Sequence, residues 1–405
     1  MFGWEFPPMS SGGLGTACYG LTKGLSNNDV NVIFVLPHAP SSMNPGYMKL
    51  VSADSLSRIT MKPINSILTP YITSQAYSKY YQEYIRNKEK SGENSIYGQN
   101  LYGEVYRYAQ KAKYIAASED FDIIHCHDWM TFQAGIQAKK ISKKPLVIQV
   151  HATEFDRTGG NPNQMIYNLE REGMVTADSI IAVSNFTKNK IVDYYGINPD
   201  KINVVYNAVE FTYNSFPKHD FGIKKHDKVV LFLGRITLQK GPDYFVYAAK
   251  KVLEHDPNVK FVVVGTGDMQ PYVVEKVAEM GIGDKVLFTG FLSGPDIDRV
   301  YQMADVYVMP SVSEPFGITP LEAMRNRTPV IISKQSGVSE IIDHCLKVDF
   351  WDIDQLANKI LSVLHYNSLN HCLKEHGYEE VNKFSWNDTA KKCIEVYNKT
   401  VSEGV

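Results

Sequence analysis

The chain has 405 residues, of which 44% are hydrophobic and 21% are charged, and its net charge is −2 at pH 7. This length exceeds what a single hydrophobic core usually supports, so we expect two domains. The nearly balanced charge excludes the broad basic surface that nucleic acid or an anionic membrane would require. An anionic ligand therefore has to be bound by a local group of cations.

Cysteine usage and hydropathy indicate the cellular compartment in which the protein is expected. The five cysteines are scattered without a Cys-x-x-Cys pair, which is typical of a reducing compartment. The sequence has no run of 18 apolar residues and no basic-then-apolar leader before "MFGWEFPP". We therefore expect a cytoplasmic protein without an integral membrane segment.

Short apolar runs alternate with segments of helical period along the whole chain, a pattern typical of parallel sheets covered by helices. In the first half, "MFGWEF" reads like the second half of a strand. Further strands are predicted at 30–36, 123–126, 145–150, 179–184 and 202–206. A tyrosine-rich stretch at 71–108 interrupts this rhythm, and it is either a packed helical insertion or a surface on which sugar rings stack.

The second half repeats the alternation. Strands are predicted at 228–234, 259–265, 285–291, 305–310 and 329–333, with helices between them. The strand-poor segment 207–227 marks a hinge. We expect one domain at 1–207, a second at 208–385, and a last helical segment at 386–405 that packs back across the hinge. Two such sheets facing each other form a cleft along their carboxyl edges, where α/β folds bind ligands.

A glycine-rich turn precedes the first predicted helix in "SSGGLGTACYGL". Gly12, Gly13 and Gly15 would let bare backbone amides approach an anion at the helix N-terminus. The same glycines would also suit a tight turn that packs the helix against the preceding strand. The spacing differs from the dinucleotide-binding pattern, so both interpretations stay open.

Two cations follow the first strand of the second half in "LFLGRITLQKG". Arg235 and Lys240 bracket a turn, and Gly241 and Pro242 open the next helix. Two cations beside a helix N-terminus neutralise a diphosphate through charge-assisted hydrogen bonds. A solvated loop is the alternative, but the position at the carboxyl end of a strand favours an anion site. Phe291, which also follows a strand, suits one face of a nucleotide-base pocket.

Histidines cluster near the ends of two strands in the first half. The stretch "IIHCHDW" contains His125, His127 and Asp128, but no further ligands stand at matching spacing, so we expect no metal site. His151 directly follows the strand at 145–150, within the predicted cleft. It is either a ligand contact or a satisfied structural histidine.

The stretch "SEPFGITPLEAM" at 313–324 contains two glutamates eight residues apart. Glu314 lies on a loop after a strand. Thr319 and Glu322 fit a capping box, with Pro320 at the first helical position, so Glu322 either caps the helix or binds a ligand. The backbone amides at the helix start are placed where a phosphate binds. They belong to Phe316, Gly317, Ile318 and Thr319.

In their order along the chain, these motifs resemble the retaining glycosyltransferases of family 4, which have the GT-B fold. The resemblance covers nearly the whole chain and rests on "SGGLG", "HCHDW", "VHATEFDR", "GRITLQKG", "GTGDM" and "ADVYVMPSVSEPFGITPLEAM". The ordered combination of "GRITLQKG" with Glu-x7-Glu is its most specific part. It implies two Rossmann-like α/β domains facing across a cleft, with a nucleotide-sugar donor bound mainly by the second.

The resemblance assigns most donor contacts to the second domain. Arg235 and Lys240 would hold the diphosphate, and Glu322 the ribose hydroxyls. Glu314 would lie beside the donor sugar, and the amides of 316–319 would contact sugar or phosphate. Arg235, Lys240 and Glu314 would belong to the catalytic set.

The remaining implied contacts come from both domains. Phe291 would line the base pocket. Gly13 and Gly15 would approach the phosphates, and His151 would contact the sugar as a further member of the catalytic set. Asp128 would lie on the acceptor side.

Within the family, the start "GWEFPP…GGLGTA" together with "HDW" looks most like bacterial and archaeal glycogen or starch synthases. This implies glucosyl transfer from ADP-glucose or UDP-glucose to a glucan, without a metal ion. Three positions depart from that pattern and leave the donor base and the acceptor open: Ser10-Ser11 replaces a common lysine, Met130 replaces a common histidine, and Glu322 is commonly lacking there. The alternatives are a lipid-linked or small acceptor in envelope polysaccharide synthesis, a nucleotide-sugar epimerase, and an inactive sugar-binding module.

Overall fold

The computed structural model describes residues 1–7, 12–37, 48–52, 101–210 and 227–403. Most of the predicted tyrosine-rich insertion, 71–100, and most of the predicted hinge, 211–226, lie outside the described residues. The chain divides into two compact units. One comprises Met1–Tyr206 together with Trp386–Val405, and the other comprises Asn207–Ser385.

The first unit contains a parallel sheet. Its strands are β1 (Ile33–Leu36), β2 (Lys49–Ser52), β3 (Ile124–His127), β4 (Leu146–Val150), β5 (Ser179–Ala182) and β6 (Ile202–Val204). β1 pairs with β2, and β3 to β6 pair in chain order. Each strand predicted in this half overlaps an observed one, whereas β2 was not predicted.

The N-terminal segment joins these two groups of strands. Phe2 forms parallel bridges to Val35 of β1 and to Cys126 of β3. Its amide donates to the carbonyl of His125 at 2.7 Å, and the amide of Gly3 donates to the carbonyl of Val35 at 3.0 Å. Phe2 of "MFGWEF" thus pairs as a residue of a strand would, but the pairing is an isolated bridge and not one of the named strands.

Helices separate the strands of the first unit. They are Gly13–Ser26, Leu101–Ser118, Trp129–Ser142, Glu154–Arg157, Gln164–Thr176, Asn185–Tyr195 and Trp386–Glu403, with a 3-10 turn at Pro199–Lys201. The last helix packs closely on the first. A Cβ on Gly20 would lie 2.1 Å from the Trp386 ring, and one on Gly24 would lie 2.3 Å from the Trp386 carbonyl oxygen. The two glycines thus permit an approach that larger residues would block.

The second unit contains a six-stranded parallel sheet. Its strands are β7 (Lys228–Leu233), β8 (Val259–Val264), β9 (Val286–Gly290), β10 (Val306–Met309), β11 (Val330–Ser333) and β12 (Leu346–Val348). The spatial order is β12-β11-β10-β7-β8-β9. The central strands bury nearly every side chain because helices cover both faces. The predicted α/β class with Rossmann-like parallel sheets is confirmed.

The helices of the second unit complete the alternation. They are Pro242–His255, Gln270–Glu279, Pro295–Met303, Ile318–Arg325, Ile353–His365 and Asn367–Val381, with 3-10 turns at Leu238–Lys240 and Gly337–Glu340. Pro242 and Pro295 occupy the first position of their helices, where a missing backbone N–H costs nothing. In the described part of the chain, no helix combines the length and apolarity needed to cross a membrane.

Candidate active site

The order of the strands in the second unit creates a crevice. Successive connections run to one side of β7 through β8 and β9, and to the other side through β10, β11 and β12. β7 and β10 are neighbours, and the loops that follow them lead to opposite sides of the sheet. Such a topological switch point is where open α/β sheets bind ligands. Arg235 and Lys240 follow β7, and Glu314 follows β10.

Lys240 and Glu314, predicted from separate motifs, are in direct contact. The Lys240 ammonium Nζ donates to Glu314 Oε2 at 2.5 Å, and the Ser311 hydroxyl donates to the same oxygen at 3.2 Å. Glu314 is only 6% exposed. A carboxylate this buried is stabilised by such partners, since an unpaired buried charge is costly.

The turn after β7 is shaped to reach the end of β10. Leu238–Lys240 forms a 3-10 turn that ends at Gly241, whose φ is 62°. A Cβ on Gly241 would lie 2.3 Å from the carbonyl oxygen of Pro310, directly after β10. Glycine is thus required both by the left-handed backbone and by the close approach.

Gln239 links the basic turn to the loop after β10. Its carbonyl oxygen accepts from the amide of Val312 at 2.9 Å. Its side-chain Oε1 accepts a long hydrogen bond from Arg235 at 3.5 Å. Gln239 is buried, and sequence reasoning missed it because no local signal distinguishes a linking glutamine from a solvated one.

The loop that contains Glu314 is tied to the segment after β11. The amide of Glu314 donates to the carbonyl of Gln335, and the carbonyl of Glu314 accepts from the amide of Gly337, both at 2.9 Å. The carbonyl of Phe316 accepts from the amide of Val338 at 2.7 Å. These bonds on both sides of the loop fix the backbone that precedes the helix Ile318–Arg325.

The capping-box interpretation of Glu322 is wrong. The N-cap of this helix is Gly317, with φ 103°, and no side chain caps it. Thr319 already lies inside the helix, where its hydroxyl accepts from Tyr307 at 2.8 Å. The carboxylate of Glu322 instead accepts from the Tyr301 hydroxyl at 3.1 Å. Burial raises the pKa of Glu322, while Arg325 and the Tyr301 hydrogen bond oppose that shift.

The loops after β8 and β9 contain the other predicted residues of this unit. A Cβ on Gly265 would lie 1.9 Å from the Gly234 carbonyl oxygen, and one on Gly267 would lie 2.2 Å from that of Ile236. These glycines of "GTGDM" therefore let the loop after β8 pack on the loop after β7. Phe291, directly after β9, is 63% exposed, so its ring is accessible.

In the first unit, the glycine-rich turn contacts a carboxylate of the same chain. The helix begins at Gly13, which is exposed and has open space around a hypothetical Cβ. The amide of Gly15 donates to Glu5 Oε2 at 3.1 Å, and Glu5 is buried. In this structure Gly15 thus has a structural partner, which sequence reasoning missed, and Gly13 is the more accessible of the two predicted glycines.

Asp128 holds the backbone of His151. Its Oδ1 accepts from the amide of His151 at 2.6 Å and from that of Ala152 at 3.4 Å. Asp128 is fully buried and has φ 61° and ψ 168°, a sparsely populated conformation of the kind that clusters at functional sites. The acceptor-side role of Asp128 stays a prediction, and in this structure its carboxylate holds the backbone at His151.

Three histidines line up beside this turn. His127 Nδ1 lies 3.1 Å from His151 Nε2, and the rings of His125 and His127 stack at 4.4 Å. Burial lowers the pKa of His125 and His127 well below the usual value, and it lowers the pKa of His151 as well. All three are therefore neutral at pH 7. Within the described ranges, no three His, Cys, Asp or Glu side chains are arranged to bind a metal ion.

Two family profiles match this chain. The one described as Glycosyl transferases group 1 matches residues 216–380, and the one described as Glycosyltransferase Family 4 matches residues 11–213. An uncharacterized glycosyltransferase of Methanocaldococcus jannaschii is 31% identical over 417 residues, covering 98% of this chain and 97% of that protein. The chain belongs to the family 4 glycosyltransferases. The family resemblance predicted from the motifs is therefore confirmed, and this glycosyltransferase uses a nucleotide-sugar donor.

Two relatives with named activities are less similar to this glycosyltransferase. A D-inositol 3-phosphate glycosyltransferase of Segniliparus rotundus is 27% identical over 301 residues, covering 70% of this chain and 67% of that enzyme. A glycogen synthase of Mycobacterium tuberculosis is 23% identical over 348 residues, covering 84% of this chain and 79% of that enzyme. These sequence identities therefore do not distinguish glycogen synthases from other family 4 members as relatives of this chain.

Solved structures agree with the fold of this glycosyltransferase. Sucrose-phosphate synthase from Thermosynechococcus elongatus matches with a TM-score of 0.76 at 18% identity, covering 99% of this chain and 96% of that one. Anabaena HepE, solved in complex with UDP and glucose, matches with a TM-score of 0.70 at 16% identity, covering 98% and 99%. The predicted GT-B fold class is confirmed.

Proposed function

We propose that this glycosyltransferase moves a glucosyl unit from ADP-glucose or UDP-glucose to a glucan acceptor and retains the anomeric configuration. The observation that carries the proposal is the contact between Lys240 and the buried Glu314 at the switch point between β7 and β10. It brings together a cation suited to a diphosphate and a carboxylate suited to sugar hydroxyls.

The cations act on the leaving group. When the bond between the anomeric carbon and the donor phosphate breaks, negative charge builds up on the departing nucleoside diphosphate. Arg235 and Lys240 stabilise that charge through hydrogen bonds that strengthen in the transition state. An ammonium has three donors, so Lys240 can keep its bond to Glu314 while it binds a phosphate oxygen. We expect no metal requirement, because these cations and the amides at the start of helix Ile318–Arg325 supply the positive charge.

The reaction then needs an acceptor hydroxyl. This hydroxyl attacks the anomeric carbon from the face that the diphosphate leaves, and its proton passes to the departing phosphate. Attack from this face gives retention. Glu314 accepts hydrogen bonds from the donor sugar, His151 contacts that sugar as a neutral group, and the accessible amide of Gly13 binds phosphate. Glu322 binds the ribose, and Phe291 covers the base.

A small phosphorylated acceptor is the second candidate. It is supported by the similarity to a D-inositol 3-phosphate glycosyltransferase. The sequence identity to that enzyme is 27%, against 23% to the glycogen synthase. The same donor chemistry would operate in both cases. Only the group that receives the sugar differs.

A screen of donors and acceptors tests the proposal. The purified protein is incubated with ADP-glucose or UDP-glucose and with either glycogen or inositol 3-phosphate, and released nucleoside diphosphate is measured with and without EDTA. We expect release with glycogen, no loss in EDTA, and an α-linked product by proton NMR. Release only with inositol 3-phosphate would overturn the glucan proposal, and a β-linked product would overturn retention. Abolition by EDTA would overturn the metal-free mechanism.

The ribose assignment makes a separate prediction. Glu322→Gln keeps the size of the side chain but removes its charge, so we expect the donor KM to rise about tenfold, as for the loss of a charge-assisted hydrogen bond. The control is Tyr301→Phe, which removes the hydroxyl bonded to Glu322. It is expected to change the donor KM less than threefold. Steady-state kinetics with varied donor measure both, and an unchanged KM in Glu322→Gln would exclude the ribose contact.

A further inference from the structure

One face of the sheet in the first unit contains a buried column of polar side chains. His125 and His127 lie two residues apart on β3, so their side chains point to the same face. His127 pairs in register with Gln149 of β4, and His151 lies two residues beyond Gln149. His125, His127 and Gln149 are each at most 1% exposed. Polar groups in such a place need partners, because burying them unpaired is costly.

The column has hydrogen bonds at both ends. Tyr397, from the helix Trp386–Glu403, places its hydroxyl 2.6 Å from His125 Nδ1. The ring of His125 stacks on that of His127, and His127 Nδ1 lies 3.1 Å from His151 Nε2. His151 is the partly exposed end of the column. Its ring is therefore held from the buried side, and its backbone amide is held by Asp128.

The unpaired atoms decide how the protons are arranged. Three buried atoms of this column have no hydrogen-bond partner among the residues that the structure describes: His125 Nε2, His127 Nε2 and Gln149 Oε1. Each neutral imidazole has one N–H and one bare nitrogen. An orphaned buried N–H is rarer than an under-satisfied acceptor, so a bare nitrogen is favoured at His127 Nε2. The proton of His127 is then on Nδ1 and is donated to His151 Nε2.

The protons of the other two rings are arranged by the same preference. With Nε2 accepting from His127, His151 has its own proton on Nδ1. At the far end, His125 Nε2 is likewise the unpartnered nitrogen, so the proton of His125 is on Nδ1 and is donated to the Tyr397 hydroxyl oxygen, 2.6 Å away. The tautomers are thus assigned from the hydrogen-bond network.

We propose that His127 is a positioning residue that holds His151 in its Nδ1–H tautomer, so that His151 offers the donor sugar one N–H donor in a fixed direction. The inference deepens the proposed function and depends on it for the identity of the ligand. One strand end provides both restraints on His151: His127 fixes the ring and the adjacent Asp128 fixes the backbone. Because the second ring nitrogen of His151 is occupied, the residue serves as a hydrogen-bond donor and not as a proton acceptor.

The tautomer is measured directly in the unliganded protein. Two-bond proton–nitrogen NMR of protein with 15N-labelled histidine distinguishes bare from protonated ring nitrogens, and His151→Asn identifies the His151 signal by its loss. We expect a protonated Nδ1 and a bare Nε2 in His151 above pH 7. A protonated Nε2 would overturn the proposal. This measurement needs no sugar donor, so its outcome is separate from the success of the proposed function.

Substitutions at His127 test the consequence for catalysis. The amide nitrogen of Asn takes a position close to that of Nδ1, so His127→Asn is expected to keep the His151 tautomer and a kcat/KM within about threefold of wild type. His127→Leu has no donor and is expected to lose the single tautomer and at least tenfold in kcat/KM. His125→Leu is the matched control, which alters the column but leaves the bond between His127 and His151 intact.

Each outcome with these variants decides the matter. Rescue by His127→Asn together with a mixed tautomer in His127→Leu supports a positioning role. If His127→Leu kept both the tautomer and the kcat/KM, the role would be refuted. If His127→Leu did not fold, the kinetics and NMR of His127→Asn would still decide, since a changed tautomer with unchanged kcat/KM in that variant would refute the role.

Discussion

Lys240→Ala is expected to lower kcat/KM for glycosyl transfer by about 10²- to 10³-fold, as is typical when one group that stabilises transition-state charge is lost. Lys240 follows β7 at the switch point of the sheet and donates to Glu314 at 2.5 Å. The substitution removes the cation that would stabilise the departing diphosphate. It also leaves the carboxylate of Glu314, which is 6% exposed, without its cation. Steady-state kinetics with the donor identified in the screen measure the loss.

A double-substitution cycle separates these two effects. Lys240→Met alone is expected to lower both activity and thermal stability, because Glu314 stays charged and buried. Adding Glu314→Gln removes that charge and is expected to restore most of the stability, with no gain in activity. Recovery of kcat/KM in the double variant would show that Lys240 only supports the fold. Persistent inactivity in a stable double variant would show that the activity is lost at the pair of Lys240 and Glu314 and not through a loss of stability.

Arg157→Met is expected to lower the free energy of unfolding by about 3–5 kcal/mol, the usual cost of leaving buried charges without a partner. The Arg157 side chain is 3% exposed and pairs with Glu154 at 2.9 Å and with Glu170. It also donates to the carbonyl of Ala152 at 3.1 Å, directly after His151. The substitution leaves two carboxylates in the interior. Urea unfolding followed by circular dichroism measures the loss.

The pH dependence of the stability loss in Arg157→Met is a control for this prediction. Burial raises the pKa of Glu170 to about 7, while Arg157 and the hydroxyl of Tyr195 oppose the shift. Without Arg157 that pKa rises further, so the carboxyl is neutral at lower pH and its burial costs less. The stability lost in Arg157→Met should therefore be larger at pH 8 than at pH 5. An equal loss at both pH values would contradict this account, and Tyr195→Phe, which removes one hydroxyl, should lose only about 1 kcal/mol.

Much of the fold was predictable because buried parallel strands have sequences that are short apolar runs. Each predicted strand overlaps an observed one, from Ile33–Leu36 to Val330–Ser333. Two strands were missed, Lys49–Ser52 and Leu346–Val348, and each has only three or four residues with a lysine among them. Their place comes from pairing with β1 and β11, which a local pattern does not contain.

The site was predictable to the extent that its residues follow strands. This placed Lys240 and Glu314 together, because the carboxyl ends of adjacent parallel strands share an edge. Side-chain partners were not predictable in the same way. The Thr-x-x-Glu pattern suggested a cap for Glu322, but the helix begins earlier, and the partner is Tyr301, 21 residues away. The contact of Glu5 with Gly15 was likewise hidden, because it depends on how a strand and a helix meet.

Equilibrium titration of the purified protein with UDP and with ADP tests the central claim most directly. The claim is that the second unit binds the nucleoside diphosphate of the donor through Arg235 and Lys240. It predicts saturable binding of at least one of the two nucleotides, with Kd increased at least tenfold, about 1.4 kcal/mol, in both Arg235→Ala and Lys240→Ala. Equal affinity in wild type and both variants, with the fold intact by circular dichroism, would contradict it.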